Sequence, residues 1–274
     1  MSGASSFRVA CVQNCAGPDI DENLAAVEDA IRKATDEDAA LVCLPENFSC
    51  LHESDGSYLE DGYTEDNHPA LPRLASLAAE RDVWLLLGSL TIALPDGRLN
   101  NRCVLLDNEG RIQARYNKIH LFDVTIRDGQ SYKESALVAP GGEQVVAEVP
   151  WGKLGLTICY DVRFPHLYRD LAKAGAHFLT VPAAFTAKTG AAHWHSLLRA
   201  RAIETGCYVF APGQCGRRSW GRATFGHSLI IDPWGEVLAD GGEESGYVIA
   251  DVDVDEVDRV RTMIPALTHD RPYA

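Results

Sequence analysis

The 274-residue chain lacks any apolar run long enough, at roughly 18 residues, to cross a bilayer as a helix. It also lacks a signal-peptide pattern at its N-terminus, a Pro-, Gly- or Ser-rich linker, a low-complexity tract and an internal repeat. These absences predict one domain over residues 1–274, located in the cytoplasm and without a membrane partner.

Positive charge is scarce. The chain has 25 Lys and Arg against 39 Asp and Glu, which gives a net charge of −14. Such an acidic balance argues against nucleic acid or an anionic membrane as a partner, because both attract basic surfaces. The hydrophobic content of 46% is enough for a sizeable core.

Recognised metal-ligand spacings are also missing. Cys11 and Cys15 form CxxxC on an extended segment, without a second cysteine pair at zinc spacing. His193 and His195 form HWH, but no cysteine or acidic pair accompanies them in a known metal pattern. We therefore predict no metal ion and no cofactor. Eight cysteines without a secretion signal favour a reducing compartment.

The segment LTICYDVRFP carries Cys159 where an apolar run ends. Leu154–Ile158 predicts a short buried strand, and Phe164-Pro165 opens an amphipathic helix, with proline tolerated in its first turn. A thiol at such a turn is held beside backbone N–H groups that can bind developing negative charge. Cys159 is therefore a candidate nucleophile. The alternative is a structural cysteine, since free Cys is among the most buried residue types.

Two further segments end short apolar strands with a charged side chain. In LVCLPENFSC the strand stops at Glu46, whose partial desolvation would raise its pKa toward that of a general base. In ARYNKIHLFD, Lys118 could lower the pKa of a thiol and stabilise an oxyanion. Taken singly, each has an ordinary alternative: a solvated loop glutamate, and an edge-strand lysine that discourages aggregation.

Together these segments resemble the nitrilase superfamily of carbon–nitrogen hydrolases, and the resemblance runs from FRVACVQ to SLIIDPWGEVLAD. That superfamily carries a Glu–Lys–Cys triad in this chain order. The resemblance implies that Glu46 in LPEN is the general base, Lys118 in YNKIHLFD the oxyanion lysine and Cys159 in ICYDVRFP the nucleophile. It also implies that Glu134 in SYKES orients Lys118 and the reacting nitrogen.

The implied activity is hydrolysis of a linear amide through a thioester. Glu46 would take the thiol proton, pass it to the leaving amine and then activate water. Lys118 and the backbone N–H of Tyr160 would bind the oxyanion. Asp161 is expected to shape the turn rather than react.

The segments SYKES, AFTAKTGAAHWHSLLRARAIE and GHSLIIDPWGEV resemble the branch of deaminated-glutathione amidases and omega-amidases of 2-oxo acids. In that branch Arg163, four residues after the cysteine, would bind a substrate carboxylate together with Thr189. The alternative is that Arg163 pairs with Asp161 or a helix end. Tyr160 and Phe185 are candidates for lining the pocket, although aromatic residues are more often core.

Other functions remain open. True nitrilases usually carry Trp directly after the cysteine, where this chain has Tyr160, so nitrile hydrolysis is disfavoured. An N-carbamoyl hydrolase and a simple aliphatic amidase are further enzyme alternatives. A non-catalytic binding protein is disfavoured because the expected residue types stand at all four of the positions Glu46, Lys118, Glu134 and Cys159.

Strand and helix patterns alternate along the chain, which predicts an α/β protein. The resemblance implies a four-layer αββα sandwich, which patterning alone does not select over other α/β folds. The predicted helices are Ile20–Thr35, Pro69–Arg81, His166–Ala174 and His193–Thr205. The predicted strands are Phe7–Cys15, Ala40–Leu44, Val83–Leu94, Arg102–Asp107, Ile112–Tyr116, Leu154–Cys159, His177–Pro182, Tyr208–Ala211, His227–Asp232 and Tyr247–Val252.

A homodimer is expected, partly because the family associates through helices beside the active-site sheet. The two helices after Cys159 also have more apolar surface than one covering position on a sheet needs. The apolar tail Met263–Leu267 is expected to pack across the partner, or alternatively on its own subunit. The apolar positions on the two helices are Leu167, Leu171, Ala174, Leu197, Leu198, Ala202 and Ile203.

Overall fold

The computed structural model describes residues 6–51, 53–54, 57–58, 62–125, 131–218 and 221–272. Within these ranges, every helix is too short or too polar to traverse a bilayer. The helices are α1 Ile20–Asp36, α2 Ala70–Arg81, α3 Pro165–Lys173, α4 Ala187–Thr205 and α5 Asp255–Met263.

Local sequence explains where the first helix begins and which face it buries. The Asp19 side chain accepts hydrogen bonds from the backbone N–H groups of Asp21 and Glu22, both at 3.0 Å, which caps the N-terminus of α1. Leu24, Val27 and Ile31 recur at helical spacing and are fully buried. One face of α1 therefore packs on the sheet beneath it.

The described strands form two large sheets and two small hairpins. In chain order the strands are β1 Ser6–Gln13, β2 Ala39–Cys43, β3 Glu53–Ser54, β4 Ser57–Tyr58, β5 Trp84–Ala93, β6 Leu99–Leu106, β7 Ile112–Asn117, β8 Asp123–Thr125, β9 Ser131–Lys133, β10 Val145–Val149, β11 Gly152–Leu156, β12 Phe178–Thr180, β13 Tyr208–Ala211, β14 Leu229–Ile231, β15 Val237–Asp240 and β16 Gly246–Asp253. One sheet has the order β16-β1-β2-β5-β6-β7, the other β10-β11-β12-β13-β14-β15, and the hairpins are β3-β4 and β8-β9.

The two faces of the first sheet pack against different layers. Along β1, Val9 and Cys11 belong to the core between the two sheets, whereas Ala10 and Val12 pack with α1 and α2. The second sheet packs one face against the first sheet and its opposite face against α3 and α4. The order of layers is helices, sheet, sheet, helices, so the predicted αββα sandwich is confirmed.

The chain after β2 is fixed against β5 through a close backbone approach. A Cβ added to Gly88 would lie 1.9 Å from the Leu44 carbonyl oxygen and 2.1 Å from that of Pro45, so only glycine fits there. The backbone N–H of Asn47 donates a 3.0 Å hydrogen bond to Ser89 Oγ. Two adjacent residues of β5, Gly88 and Ser89, therefore hold the turn that carries Glu46.

Several element boundaries differ from the prediction. Helix α4 begins at Ala187 rather than His193, and Gly190 in its first turns allows the Phe225 ring to approach within 2.3 Å of where a Cβ would lie. The strand predicted to reach Cys159 ends at Leu156. The edge strands β10 and β15 and the acidic helix α5 were not predicted, because partly exposed segments carry a weak hydrophobic pattern.

Candidate active site

One cavity collects charged side chains that leave the ends of strands in both sheets. Glu46 follows β2, Lys118 follows β7, and Cys159 follows β11 by three residues. The residues lining the cavity are Glu46, Asn47, Thr91, Asn101, Lys118, Phe122, Tyr132, Lys133, Glu134, Val138, Cys159, Tyr160, Ala184, Phe185, Thr186 and Thr189.

Lys118 lies between two carboxylates at the base of the cavity. Its Nζ donates to Glu46 Oε1 at 2.8 Å and to the two oxygens of Glu134 at 3.0 and 2.9 Å. Burial alone would lower the pKa of the Lys118 ammonium, but Glu134 and Glu46 outweigh burial and raise that pKa well above its ordinary value. Lys118 is therefore a fixed positive charge.

Glu46 is a buried carboxylate that is ionised at rest. Its Oε1 also accepts from Asn101 Nδ2 at 2.9 Å, and its Oε2 accepts from the backbone N–H of Ala184 at 2.8 Å. Burial opposes ionisation, but Lys118 outweighs burial and holds the pKa of the Glu46 carboxyl below its usual value. The sequence-based expectation of a raised pKa was wrong, because it did not include the lysine 2.8 Å away.

Cys159 is held in a left-handed backbone conformation, with a φ of 47°, directly after Ile158. Its N–H donates to the carbonyl of Pro182 at 2.9 Å, and it lines the same cavity as Glu46, whose charge acts on the thiol. Burial and the Glu46 charge raise the pKa of the thiol well above its ordinary value, and Lys118 offsets only part of this. Lys118 therefore lowers the pKa of the thiol, as expected from the sequence, but burial and Glu46 raise that pKa by more. Cys159 is a neutral thiol beside an ionised base.

Asp161 ties the cysteine turn to the segment that carries the lysine. Its Oδ2 accepts from Tyr116 Oη at 2.7 Å and from the backbone N–H of Ile158 at 2.9 Å. Its Oδ1 accepts from the backbone N–H of His120 at 3.0 Å. As the sequence suggested, Asp161 shapes the turn, and it also aligns the turn with the chain around Lys118.

The predicted substrate-binding residues lie at the cavity but do not all line it. Tyr160, Phe185 and Thr189 are lining residues. Arg163 is not among them: its guanidinium lies over the Phe185 ring, 5.2 Å from the ring centroid, and contacts His193 Nδ1 at 3.3 Å. Arg163 thus lies beside the Phe185 ring that lines the cavity, and its side chain contacts His193 rather than Asp161.

Several polar residues of the site were not predicted, and Asn101 and Lys133 are the most informative of them. Asn101 Nδ2 donates both to Glu46 and to Glu134 Oε1, the latter at 3.2 Å, so its amide must be oriented with the nitrogen toward the carboxylates. Lys133 adds a second cation to the cavity lining. In the sequence, Asn101 is one polar residue directly before a predicted strand, and Lys133 directly precedes Glu134 in SYKES. Neither position by itself indicates a residue of the site.

Known proteins are similar to this chain over most of its length. The family model described as carbon–nitrogen hydrolase matches residues 8–262. The chain belongs to this family. A protein of Synechocystis named deaminated glutathione amidase is 44% identical over 267 residues, which cover 96% of this chain and 97% of that protein.

Solved structures of this carbon–nitrogen hydrolase family have the same fold. The NitFhit protein of C. elegans matches with a TM-score of 0.89 and 35% identity, over 98% of this chain and 66% of that longer one. Saccharomyces cerevisiae Nit3, described as a member of branch 10 of the nitrilase superfamily, matches with a TM-score of 0.87 and 29% identity, over 99% of this chain and 98% of that chain. The predicted resemblance is confirmed, and the chain is a nitrilase-superfamily amidase, a hydrolase of carbon–nitrogen bonds other than peptide bonds.

The buried Lys118 should contribute strongly to stability, because its removal leaves two carboxylates facing each other. We expect Lys118→Met to lower the free energy of unfolding at neutral pH by about 3–5 kcal/mol. Without the ammonium, burial should raise the pKa of the Glu46 carboxyl, so the folded variant binds protons more readily than the unfolded chain. Its stability should therefore increase as the pH falls, measured by urea unfolding at neutral and mildly acidic pH. Lys133→Met is the control, and an equal loss in both variants would contradict this interpretation.

Proposed function

We propose that the chain hydrolyses a small, carboxylate-bearing amide with Cys159 as the nucleophile, Glu46 as the general base and Lys118 as the oxyanion donor. The observation that carries the proposal is that Cys159, Glu46 and Lys118 line one cavity, in which Lys118 Nζ lies 2.8 Å from Glu46 Oε1. Glu134, which contacts Lys118 and accepts a 2.6 Å hydrogen bond from the Phe122 backbone N–H, orients the lysine.

The first half of the reaction transfers the acyl group to sulfur. As the sulfur attacks the amide carbon, the thiol proton moves to Glu46, and the carbonyl oxygen becomes an oxyanion bound by Lys118 and the Tyr160 backbone N–H. Collapse of this adduct breaks the carbon–nitrogen bond. The leaving amine takes the proton from Glu46, and a thioester remains.

The second half returns the enzyme to its resting state. Glu46 removes a proton from a water molecule, which attacks the thioester carbon and forms a second oxyanion at the same donors. Collapse of that adduct expels the Cys159 sulfur, which regains a proton from Glu46. The products are a carboxylic acid and an amine or ammonia, and no cofactor is required.

The most favoured substrates are deaminated glutathione and related 2-oxo-acid omega-amides. The support is the name of the Synechocystis relative together with two cations at the cavity. Lys133 lines the cavity, and Arg163 lies over the Phe185 ring that lines it, so both can attract a substrate carboxylate. Thr189, a further lining residue, supplies a hydroxyl.

The triad is tested by separate substitutions. Cys159→Ala should abolish turnover, and Glu46→Gln should slow both thioester formation and its hydrolysis. Lys118→Arg should lose about a hundredfold or more in kcat, because a planar guanidinium does not replace a compact ammonium as an oxyanion donor. Glu134→Gln should be milder than Glu46→Gln if its role is positioning.

The measurement combines steady-state kinetics with mass spectrometry of the acyl adduct. Cys15→Ala removes an exposed thiol outside the cavity lining and is the matched control. The adduct should form on the wild type and on Cys15→Ala, and never on Cys159→Ala. Normal turnover in Cys159→Ala would exclude the triad mechanism.

The carboxylate preference is tested on the two cations. Arg163→Met or Lys133→Met should raise KM for 2-oxo-acid amides about tenfold or more, since a hydrogen bond to a charged group contributes about 1.5–3 kcal/mol. KM for neutral aliphatic amides, measured in parallel, should change little. A wild type that prefers neutral amides or nitriles would favour the aliphatic-amidase or nitrilase alternative instead.

A homodimer is the proposed assembly, although the surface that supports it is smaller than the sequence suggested. Leu167 and Leu171 of α3 are buried in their own subunit. In the tail, the Ala266 carbonyl accepts a 2.8 Å hydrogen bond from Arg169, and Asp270 pairs with Arg169 and Lys173, so this part of the tail packs on its own α3.

The apolar surface that remains lies at one groove. Ile203, Trp234 and Ile264 line this groove and are 51%, 54% and 54% exposed, and the neighbouring Met263 is 60% exposed. Exposed large apolar side chains in one patch favour an interface.

The proposed cytoplasmic location is supported by eight free thiols, which suit a reducing compartment.

We expect a dimer in size-exclusion chromatography with light scattering, and a shift toward monomer in Ile203→Arg and Trp234→Arg, because a buried unpaired charge opposes association. Leu238→Ser, at another exposed apolar residue outside the groove, should leave the dimer intact. A monomeric wild type would refute the assembly. Equal dimerisation in all variants would mean that the groove is not the interface.

A further inference from the structure

We propose that His195, His227 and Asp240 form a binding site for a divalent transition-metal ion, with Zn²⁺ as the favoured ion. The site lies outside the catalytic cavity, since none of the three residues lines it. The inference is independent of the proposed reaction and gives a role to the HWH segment that the reaction does not use.

Three separate elements bring the ligands together. His195 lies on α4, His227 precedes β14, and Asp240 ends β15. His195 Nε2 lies 3.0 Å from Asp240 Oδ2, and His227 Nδ1 lies 2.8 Å from Asp240 Oδ1. All three ligating atoms lie within 4.8 Å of one another.

This ligand set suits zinc. Two imidazole nitrogens and one carboxylate oxygen are common zinc ligands, and a tetrahedral ion with bonds of about 2.0–2.1 Å keeps its ligand atoms roughly 3.3 Å apart. Asp240 Oδ2 lies 3.0 Å from His195 Nε2 and 3.1 Å from His227 Nδ1, so these two contacts would need to open by only a few tenths of an ångström. The two histidine nitrogens lie within 4.8 Å of each other and would need to approach the ion together. The side chains are 23–38% exposed, so water can complete the coordination.

The surroundings hold the ligands in place. His227 adopts a φ of 50°, an uncommon conformation for a residue other than glycine, and such strain often accompanies function. Its N–H donates to the Gly242 carbonyl, and its carbonyl accepts from Trp194 Nε1 at 2.8 Å. The Phe225 ring stacks on His227 with centroids 4.4 Å apart and meets the edge of His195 at 6.2 Å.

The alternative is a hydrogen-bonded His–Asp–His group that joins α4 to β15 without metal. The two interpretations differ in one respect: only a metal site gains stability from the ion. The sequence around HWH contains no metal-ligand pattern, because Asp240 is 45 residues from His195, and this explains why no metal was predicted.

The test is isothermal titration of the untagged, full-length protein with Zn²⁺ and, separately, Co²⁺, together with thermal unfolding at each metal concentration. The wild type should bind one equivalent and gain thermal stability. His195→Gln, Asp240→Asn and His227→Asn should each weaken binding at least about tenfold, and asparagine tolerates the left-handed backbone at position 227. Thermal unfolding without metal checks that each variant is folded.

Two control variants distinguish binding at this site from binding by other histidine or cysteine side chains of the protein. His193→Gln removes the other histidine of HWH, and Cys159→Ala removes the cavity thiol; both should bind Zn²⁺ as the wild type does. The proposal is overturned if the wild type binds neither ion, if the three ligand variants bind as tightly as the wild type, or if either control weakens binding equally.

Discussion

The ammonium of Lys118 is the interaction on which the rest of the site depends. It pairs with both Glu46 and Glu134, and it offsets the burial that opposes ionisation of Glu46. A buried group of ions of this kind is costly to desolvate. Removal of any one of its members leaves a buried charge without compensation, which is strongly destabilising. The fold therefore has to deliver three charged side chains from three strand ends to within hydrogen-bond distance.

The need to hold side chains from different strands in fixed positions also explains why Asp161 is buried. Cys159 and Lys118 come from different sheets, and their relative position determines whether sulfur and ammonium can serve one carbonyl group. Asp161 accepts from Tyr116 and His120 on one side and from Ile158 on the other. A fully buried carboxylate with this many donors fixes the two segments as a unit.

The charged residues of the site were easier to identify in the sequence than the residues around them. The triad and Glu134 stand in contiguous motifs, so their types and order are visible in the sequence. Asn101 and the His195–His227–Asp240 group come together only in three dimensions, from elements distant along the chain. Lys133 stands beside Glu134 in SYKES, but the sequence does not show that its side chain lines the cavity. Central strands and amphipathic helices follow hydrophobic periodicity, whereas edge strands and the short helix α5 carry too little of it.

The pKa pattern of the resting site explains how the proposed reaction can proceed in a buried cavity. At rest, Glu46 is ionised and the Cys159 thiol is neutral, because the thiol pKa is raised and the Glu46 pKa is lowered. When sulfur attacks, the proton moves to Glu46 and negative charge appears on the substrate oxygen. The net charge of the cavity does not change. Charge only shifts from one oxygen to another beside the same ammonium, so no new charge has to be desolvated as the barrier is crossed.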